Sequence, residues 1–347
     1  MQHPSPDSAS QDSELDFTIA ICTYNGAERI PAVLEYLSRQ TGVSRLAWEV
    51  IIVDNRSTDA TATVVAQCQE SWPLAVPLRY LFEPRQGAAY ARHHAVRMAH
   101  SPLIGFLDDD NLPAENWVAA AFAFAQQHPT AGVYGSRIQG DFEGRLPLHF
   151  ERIAPFLALT ERGDDAHIYE PAKKVLPPGA GLVVRRDLWL AYVPPEPVLI
   201  GRTPGSMVGG EDLEAVLYIQ QAGWEVWYNP SMRVNHKIPK HRLEHDYLVG
   251  LMRGAGLSRQ RTRMLSVSPW KRPILFWAYH AHDIYKILRH IAKYRLAVLR
   301  DTVAISELNL YVFSFLSPYY IWHRELLKWI AKYRAPQPSR QPTPKNG

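Results

Sequence analysis

Three consecutive carboxylates, Asp108, Asp109 and Asp110, close the apolar run LIGFL at 103–107. Like charges this close repel one another unless a cation or positive ligand offsets them. Oxygen-only donors beside a phosphate suit Mg²⁺ or Mn²⁺. The plainer alternative is an acidic loop capping the next helix, whose first turn holds Pro113 and Glu115. A second acidic pair, Glu211 and Asp212, follows Gly209 and Gly210. Carboxylates there either complement a helix dipole or take a proton from a substrate. Asp54 ends a third stretch, WEVIIV. In that position it can accept hydrogen bonds from a base or ribose, or simply form a turn.

These residues need elements that bring them together. The runs 17–22 (FTIAIC), 48–53 (WEVIIV), 78–82 and 103–107 are short, apolar and partly β-branched, which reads as buried strands. Between them lie helical patterns, such as Ile30, Val33, Leu34 and Leu37 within 28–40. Strands alternating with helices predict an α/β fold built on a doubly wound parallel sheet. Its carboxyl edge would carry Thr23, Tyr24 and Asn25, then Asp54, then the aspartates. Two more strands are expected at 131–136 and 179–184, flanking a long irregular segment at 137–178. The first turn lacks G-x-G-x-x-G, so a dinucleotide site is not supported.

The chain of 347 residues is 46% hydrophobic, enough for one large core plus an appendage. Residues 1–239 carry 19 Lys/Arg against 28 Asp/Glu, whereas 240–347 carry 19 against 6. An acidic body joined to a basic tail points the tail at something anionic. No nucleic-acid-binding motif accompanies that charge, so nucleic acid is not expected as a partner. Two cysteines, Cys22 and Cys68, fit no disulfide framework, and a reducing, cytoplasmic setting follows as the default. The first 15 residues and 335–347 read as disordered ends, the former without a secretory pattern. Within 280–300, Ile284, Ile287, Leu288, Ile291 and Val298 form one helical stripe, and Lys286, Arg289, Lys293 and Arg300 another. Such a helix can lie in a membrane interface or pack on the body. The apolar LYVFSFLSPYYIW that follows is broken by Pro318 and suits shallow insertion better than a span, so 280–330 offers a peripheral membrane contact.

The stretches TYNG, VDNRSTD, EPRQGAAYAR, FLDDDN and GGEDLE resemble, in order and spacing, the family 2 glycosyltransferases of GT-A fold. FLDDDNLPAENWV, PPGAGLVVR and GWEVWYNP further resemble the cyanobacterial hormogonium-polysaccharide enzymes. The resemblance implies a GT-A catalytic domain at 16–240, with a mixed, mostly parallel sheet flanked by helices, and a basic helical extension at 241–334. It implies an inverting, metal-dependent transfer from a nucleotide sugar, most commonly a UDP-sugar, to a saccharide or lipid-linked acceptor at the inner membrane face. Thr23, Tyr24, Asn25, Asp54 and Arg92 would line the nucleotide, with Asp108 and Asp109 beside them. Asp110 and His236 would hold Mn²⁺ or Mg²⁺. Asp212 would be the base and Glu211 would orient the acceptor. The alternative is a noncatalytic nucleotide-sugar-binding scaffold at the membrane, against which the intact Glu211–Asp212 pair argues. A nucleotidyltransferase would begin with a glycine-rich basic loop, which FTIAICTYNGAER lacks.

Overall fold

The computed structural model describes residues 15–173 and 175–334. The two ends expected to be disordered, 1–15 and 335–347, lie outside the described residues apart from Leu15. The chain opens with three βα units: β1 (Phe17–Thr23) and α1 (Ile30–Ser38), β2 (Trp48–Asp54) and α2 (Thr61–Glu70), β3 (Leu78–Phe82) and α3 (Ala88–Met98). Next come β4 (Leu103–Asp108), β5 (Asn111–Pro113), α4 (Trp117–Gln127) and β6 (Ala131–Phe142). After short 3-10 turns follow β7 (His167–Ile168), β8 (Leu182–Arg185), α5 (Arg186–Tyr192), α6 (Glu211–Gln221) and β9 (Glu225–Ile238).

The strands form one sheet in the order β3-β2-β1-β4-β8-β6-β9-β5, with β7 paired to β9. Its first four strands are parallel, as the βα alternation requires. Beyond β4 the sheet turns mixed: β8 runs antiparallel to both β4 and β6, while β6 and β9 are parallel. The result is the expected α/β architecture with a mixed sheet. Strand β2 is buried along its full length, so apolar residues must face both layers. One core layer gathers Ile19, Ile21, Val33, Leu37, Trp117 and Val118. The other gathers Ala20, Ile51, Phe106, Val184, Trp189 and Val216. Strand β6 runs on to Phe142, so the irregular segment begins later than its composition suggested. The alternation of Gly, Gln and Asp in its second half hides a strand whose outer face is wet.

The basic extension folds as α7 (His245–Leu265), α8 (Arg272–Tyr294) and α9 (Thr302–Arg334). A third cluster joins Phe150, Ile153 and Leu157 to Ile238, Leu248, Met252, Val303 and Leu310, so α7 and the start of α9 pack on the body. Helix α9 runs straight through Pro318, which corrects the expected break. A helix carries an internal proline where surrounding packing offsets the lost hydrogen bond. Here Ser317 Oγ donates to the Leu257 carbonyl of α7 at 2.5 Å and ties the two helices beside the proline. Among the described residues, no helix is long and apolar enough to cross a membrane.

Candidate active site

Parallel pairing puts Thr23 opposite Asp54 and Cys22 opposite Asp108, so three polar strand ends share one edge. The Asp54 carboxylate accepts from Tyr80 Oη at 2.7 Å and from the Ser57 amide at 2.8 Å. Asn25, at φ 51, accepts from the Thr58 amide at 2.8 Å and joins the β1 and β2 loops. The Tyr24 carbonyl accepts from Arg29 at 3.2 Å.

The three aspartates diverge in role. Asp109 turns under the first loop. It accepts from Thr23 Oγ1 at 2.5 Å and takes the Arg29 guanidinium through both oxygens at 2.8 Å each. That fork-to-carboxylate geometry fixes the loop, and it commits the Thr23 hydroxyl to Asp109. Asp108 keeps 40% of its side chain open and lies 3.4 Å from Arg92. Its carboxyl is raised above the ordinary value, by burial first and by Asp110 among its neighbours, while Arg92 pulls the other way. The open surface moderates that rise.

Asp110 faces β9. Strand β5 places Asn111 opposite His236, which brings the imidazole to the aspartates across 125 residues of chain. His236 Nε2 lies 3.5 Å from Asp110 Oδ2, and Arg242 donates to the same oxygen at 2.6 Å. Burial opposes ionisation of Asp110, but His236 and Arg242 outweigh it and hold the carboxyl well below its usual range. His236 Nδ1 lies 3.0 Å from the Leu157 carbonyl. A carbonyl only accepts, so Nδ1 carries a proton there, and Nε2 is the ring nitrogen that faces Asp110. An outer hydrogen bond of this kind orients a metal-ligating imidazole. The donor set of one carboxylate and one imidazole therefore fits Mn²⁺ or Mg²⁺, with Arg242 as the positive charge already at that spot. Among the described residues no group of three or more His, Cys, Asp or Glu could hold a metal, so further ligands would come from a substrate.

The second acidic pair lies across the site. Gly210, at φ 92, turns the chain into α6 in a conformation that a side chain would strain. Glu211 accepts from Arg92 at 2.7 Å. Asp212 accepts from the Gly179 amide at 2.6 Å and the Leu213 amide at 2.8 Å. A Cβ on Gly179 would sit 2.7 Å from Arg92 Nη2 and 3.0 Å from the Asp212 Cβ, so the PPGAG turn wedges between them. Arg92 is 5% exposed. Burial works against its charge, yet Glu211, Asp108 and Asp212 prevail and raise its pKa above the ordinary arginine value. One buried cation thus joins the aspartates of β4 to the acidic pair of α6.

The family model for glycosyl transferase family 2 matches residues 18–181, which hold the loops after β1 and β2 and all three aspartates. The chain carries a family 2 glycosyltransferase domain. By that domain it is a glycosyltransferase enzyme. It is 23% identical over 235 residues to a glucosyl-dolichyl phosphate glucuronosyltransferase of Haloferax volcanii, covering 67% of this chain and 72% of the relative. It is 37% identical over 97 residues to the succinoglycan biosynthesis protein ExoU of Rhizobium meliloti, covering 28% of this chain and 26% of that protein. The fold matches the mannosyltransferase PcManGT of Pyrobaculum calidifontis, solved with GDP-Man and Mn²⁺, at TM-score 0.55 and 18% identity, over 94% of this chain and 91% of that one. The glycosyltransferase domain therefore has the GT-A fold.

Two cations escaped the sequence reading. Arg29 lies in TYNGAER, quoted above for other residues, and Arg242 lies six residues beyond His236. The signal was an arithmetic one: three crowded aspartates require counter-charges, and Arg92 alone does not suffice. His241 and Lys237, close to His236 in the sequence, do otherwise. His241 packs edge-on to Tyr247, and the Lys237 side chain is exposed.

Proposed function

We propose that the protein is an inverting, metal-dependent glycosyltransferase that moves a sugar from a nucleotide-sugar donor to a saccharide or lipid-linked acceptor in polysaccharide biosynthesis. The observation that carries this reading is the bridge through Arg92, which links the aspartate edge of β4 to the Glu211–Asp212 pair. A donor held at the first would present its sugar to the second.

In the proposed reaction Asp212 takes the proton of the acceptor hydroxyl. The oxygen attacks the anomeric carbon from the face opposite the leaving group, the bond from that carbon to the diphosphate oxygen breaks, and the nucleoside diphosphate leaves. Two backbone amides hold the Asp212 carboxylate in place, and each oxygen keeps a further lone pair for the acceptor. Arg92 offsets charge between Asp108 and Glu211, and Glu211 orients the acceptor. Asp54, Tyr24, Asn25 and Thr23 shape the nucleotide end, the last through its bond to Asp109. Asp110 and His236 would hold the divalent cation, which when bound neutralises charge on the departing diphosphate. The relatives named for glucosyl-dolichyl phosphate and for succinoglycan biosynthesis support a glycan or lipid-linked acceptor, and the GDP-Man and Mn²⁺ of the fold neighbour are of the classes proposed here.

We assign the membrane contact to α8. Ile274, Trp277, Ile284, Leu288 and Ile291 are all exposed, at 45–72%, whereas His280, Asp283 and His290 are the residues it buries against the protein. A helix packed on a protein in water shows the reverse pattern. Lys271 just before this helix, and Arg272, Arg289 and Lys293 on it, complement an anionic bilayer surface. The decisive experiment on the chemistry is Asp212→Asn. Transfer from a panel of nucleotide sugars with Mn²⁺ should fall by roughly 10²–10⁴ while donor binding stays within a few-fold. Turnover retained at the wild-type rate would remove Asp212 as the base.

A further inference from the structure

A cavity of about 360 Å³ opens where the body meets the extension, away from the aspartate edge. Its walls are the segment leading into the PPGAG turn (Val175 and Leu176), the end of α6 (Leu217, Gln220 and Gln221), the end of α7 and the middle of α8. Gln221 is nine residues beyond Asp212, so the cavity lies roughly 14 Å along α6 from the proposed base. Its charged lining is entirely basic: Arg259 and Arg263 from α7, Lys286 from α8, with His282 beside them.

These cations are poorly compensated. Asp283 takes Arg263 through both oxygens, at 2.5 and 2.7 Å. No carboxylate among the described residues lies within ion-pair distance of Arg259 or Lys286. Among the described residues Arg259 donates to the Ser314 hydroxyl, at 3.5 Å, and Lys286 sits over the Tyr311 ring. Burial, then Arg263, pushes Arg259 down to about 10. Burial, then Arg259 and Arg263, lowers Lys286, and burial, then Lys286, lowers His282. Half-buried like charges of this kind cost stability unless a ligand meets them. Tyr279, His282 and Lys286, spaced three and four apart, line the cavity from a face of α8 different from its exposed apolar one.

We propose that this cavity binds a phosphoryl or diphosphate group, at a site separate from the nucleotide-sugar site. Arginine forks and a lysine ammonium together match the several charged oxygens of a phosphate better than a single carboxylate. The volume holds a diphosphate with part of what it is attached to. Two sources share this chemistry: a free phosphorylated metabolite, or the head of a phospholipid-like carrier. The site stands on its own geometry and does not need Asp212 to be a base.

Isothermal titration with inorganic pyrophosphate, in chelator so that no divalent cation loads the aspartates, tests the free form. Flotation with phosphatidylcholine vesicles, with and without polyprenyl phosphate, tests the lipid form. At least one probe should bind the wild type, and R259M/K286M should weaken it roughly tenfold or more. Gln221→Glu, on the exposed rim, brings a carboxylate to the cavity without touching the packing and should weaken it likewise. D110A and D212N should bind the same probe as the wild type, which separates this site from the failure or success of the transfer chemistry. Pyrophosphate binding alone assigns a soluble ligand, and vesicle binding that requires polyprenyl phosphate assigns the carrier. The proposal is overturned if neither probe binds, if Q221E and R259M/K286M bind as the wild type does, or if D110A abolishes the binding.

Discussion

Replacing Arg92 by Met tests whether one buried cation holds the two acidic groups together. Its guanidinium donates to Glu211 at 2.7 Å and approaches Asp108 at 3.4 Å, and the Arg92 and Glu211 side chains are 6% and 11% exposed. At an effective dielectric near 20, a unit pair about 4 Å apart gains about 4 kcal/mol before desolvation is subtracted. Removing one partner of a buried pair costs about 3–5 kcal/mol, because the other charge stays behind unpaired. Asp108 is too open to contribute its full share, so the lower end, about 3 kcal/mol, is expected. For a chain of this length that lowers the melting temperature by about 4 °C. Scanning calorimetry at neutral pH measures it, and nucleotide binding should fall with it. A cycle makes the cause specific. Glu211→Gln should destabilise the wild type but be neutral or stabilising in R92M, with a coupling of about 2 kcal/mol. Arg92 is cationic at every pH below the ordinary arginine value, so its own charge is constant across the neutral range and on the alkaline side is lost only in strong alkali. A melting point unchanged by R92M, or additive single and double variants, would refute the bridge.

Asp110→Ala should abolish Mn²⁺-dependent nucleotide binding in calorimetry; binding that survives would place the cation elsewhere. Asp110 also has a depressed carboxyl pKa, so it contributes stability above its unfolded value, near 3.9, and loses it as pH falls toward the folded one. Urea midpoints should therefore drop more between pH 5 and pH 3 in the wild type than in D110N, and parallel curves would contradict this. A Cβ on Gly26 would meet Thr23 Oγ1 at 2.0 Å and Asp109 Oδ2 at 2.8 Å, so Gly26→Ala should cost about 1–3 kcal/mol in urea unfolding by forcing the first loop open. The Cys22 thiol is pushed up to about 12, chiefly by burial, so it should resist alkylation at pH 8 until the protein unfolds; labelling as fast as a free thiol would contradict that. Trp277→Glu with Leu288→Glu should abolish flotation with anionic vesicles and leave the melting point within about 1 °C, since both side chains are exposed.

What the sequence revealed and what it hid differ in range. The parallel half of the sheet was legible because each βα unit is a local pattern, and the strand ends carrying Thr23, Asp54 and Asp108 follow from register alone. The pairing of β5 with β9 was not, since a three-residue strand carries almost no pattern, yet it is what sets His236 against Asp110. Two of the arginines were hidden for the same reason. Arg29 and Arg242 are unremarkable in their own stretches, and each gains its meaning from an aspartate 80 or 132 residues away. Each aspartate of the triplet has its own arginine: Asp109 with Arg29, Asp108 with Arg92, Asp110 with Arg242. The three therefore cannot be equivalent ligands for one ion. Arg29 spends Asp109 on the loop and Arg92 ties Asp108 to the acidic pair. Only the Arg242 position coincides with a second metal-type donor, His236. A divalent cation placed there by the proposed function would have to displace or share with the Arg242 guanidinium.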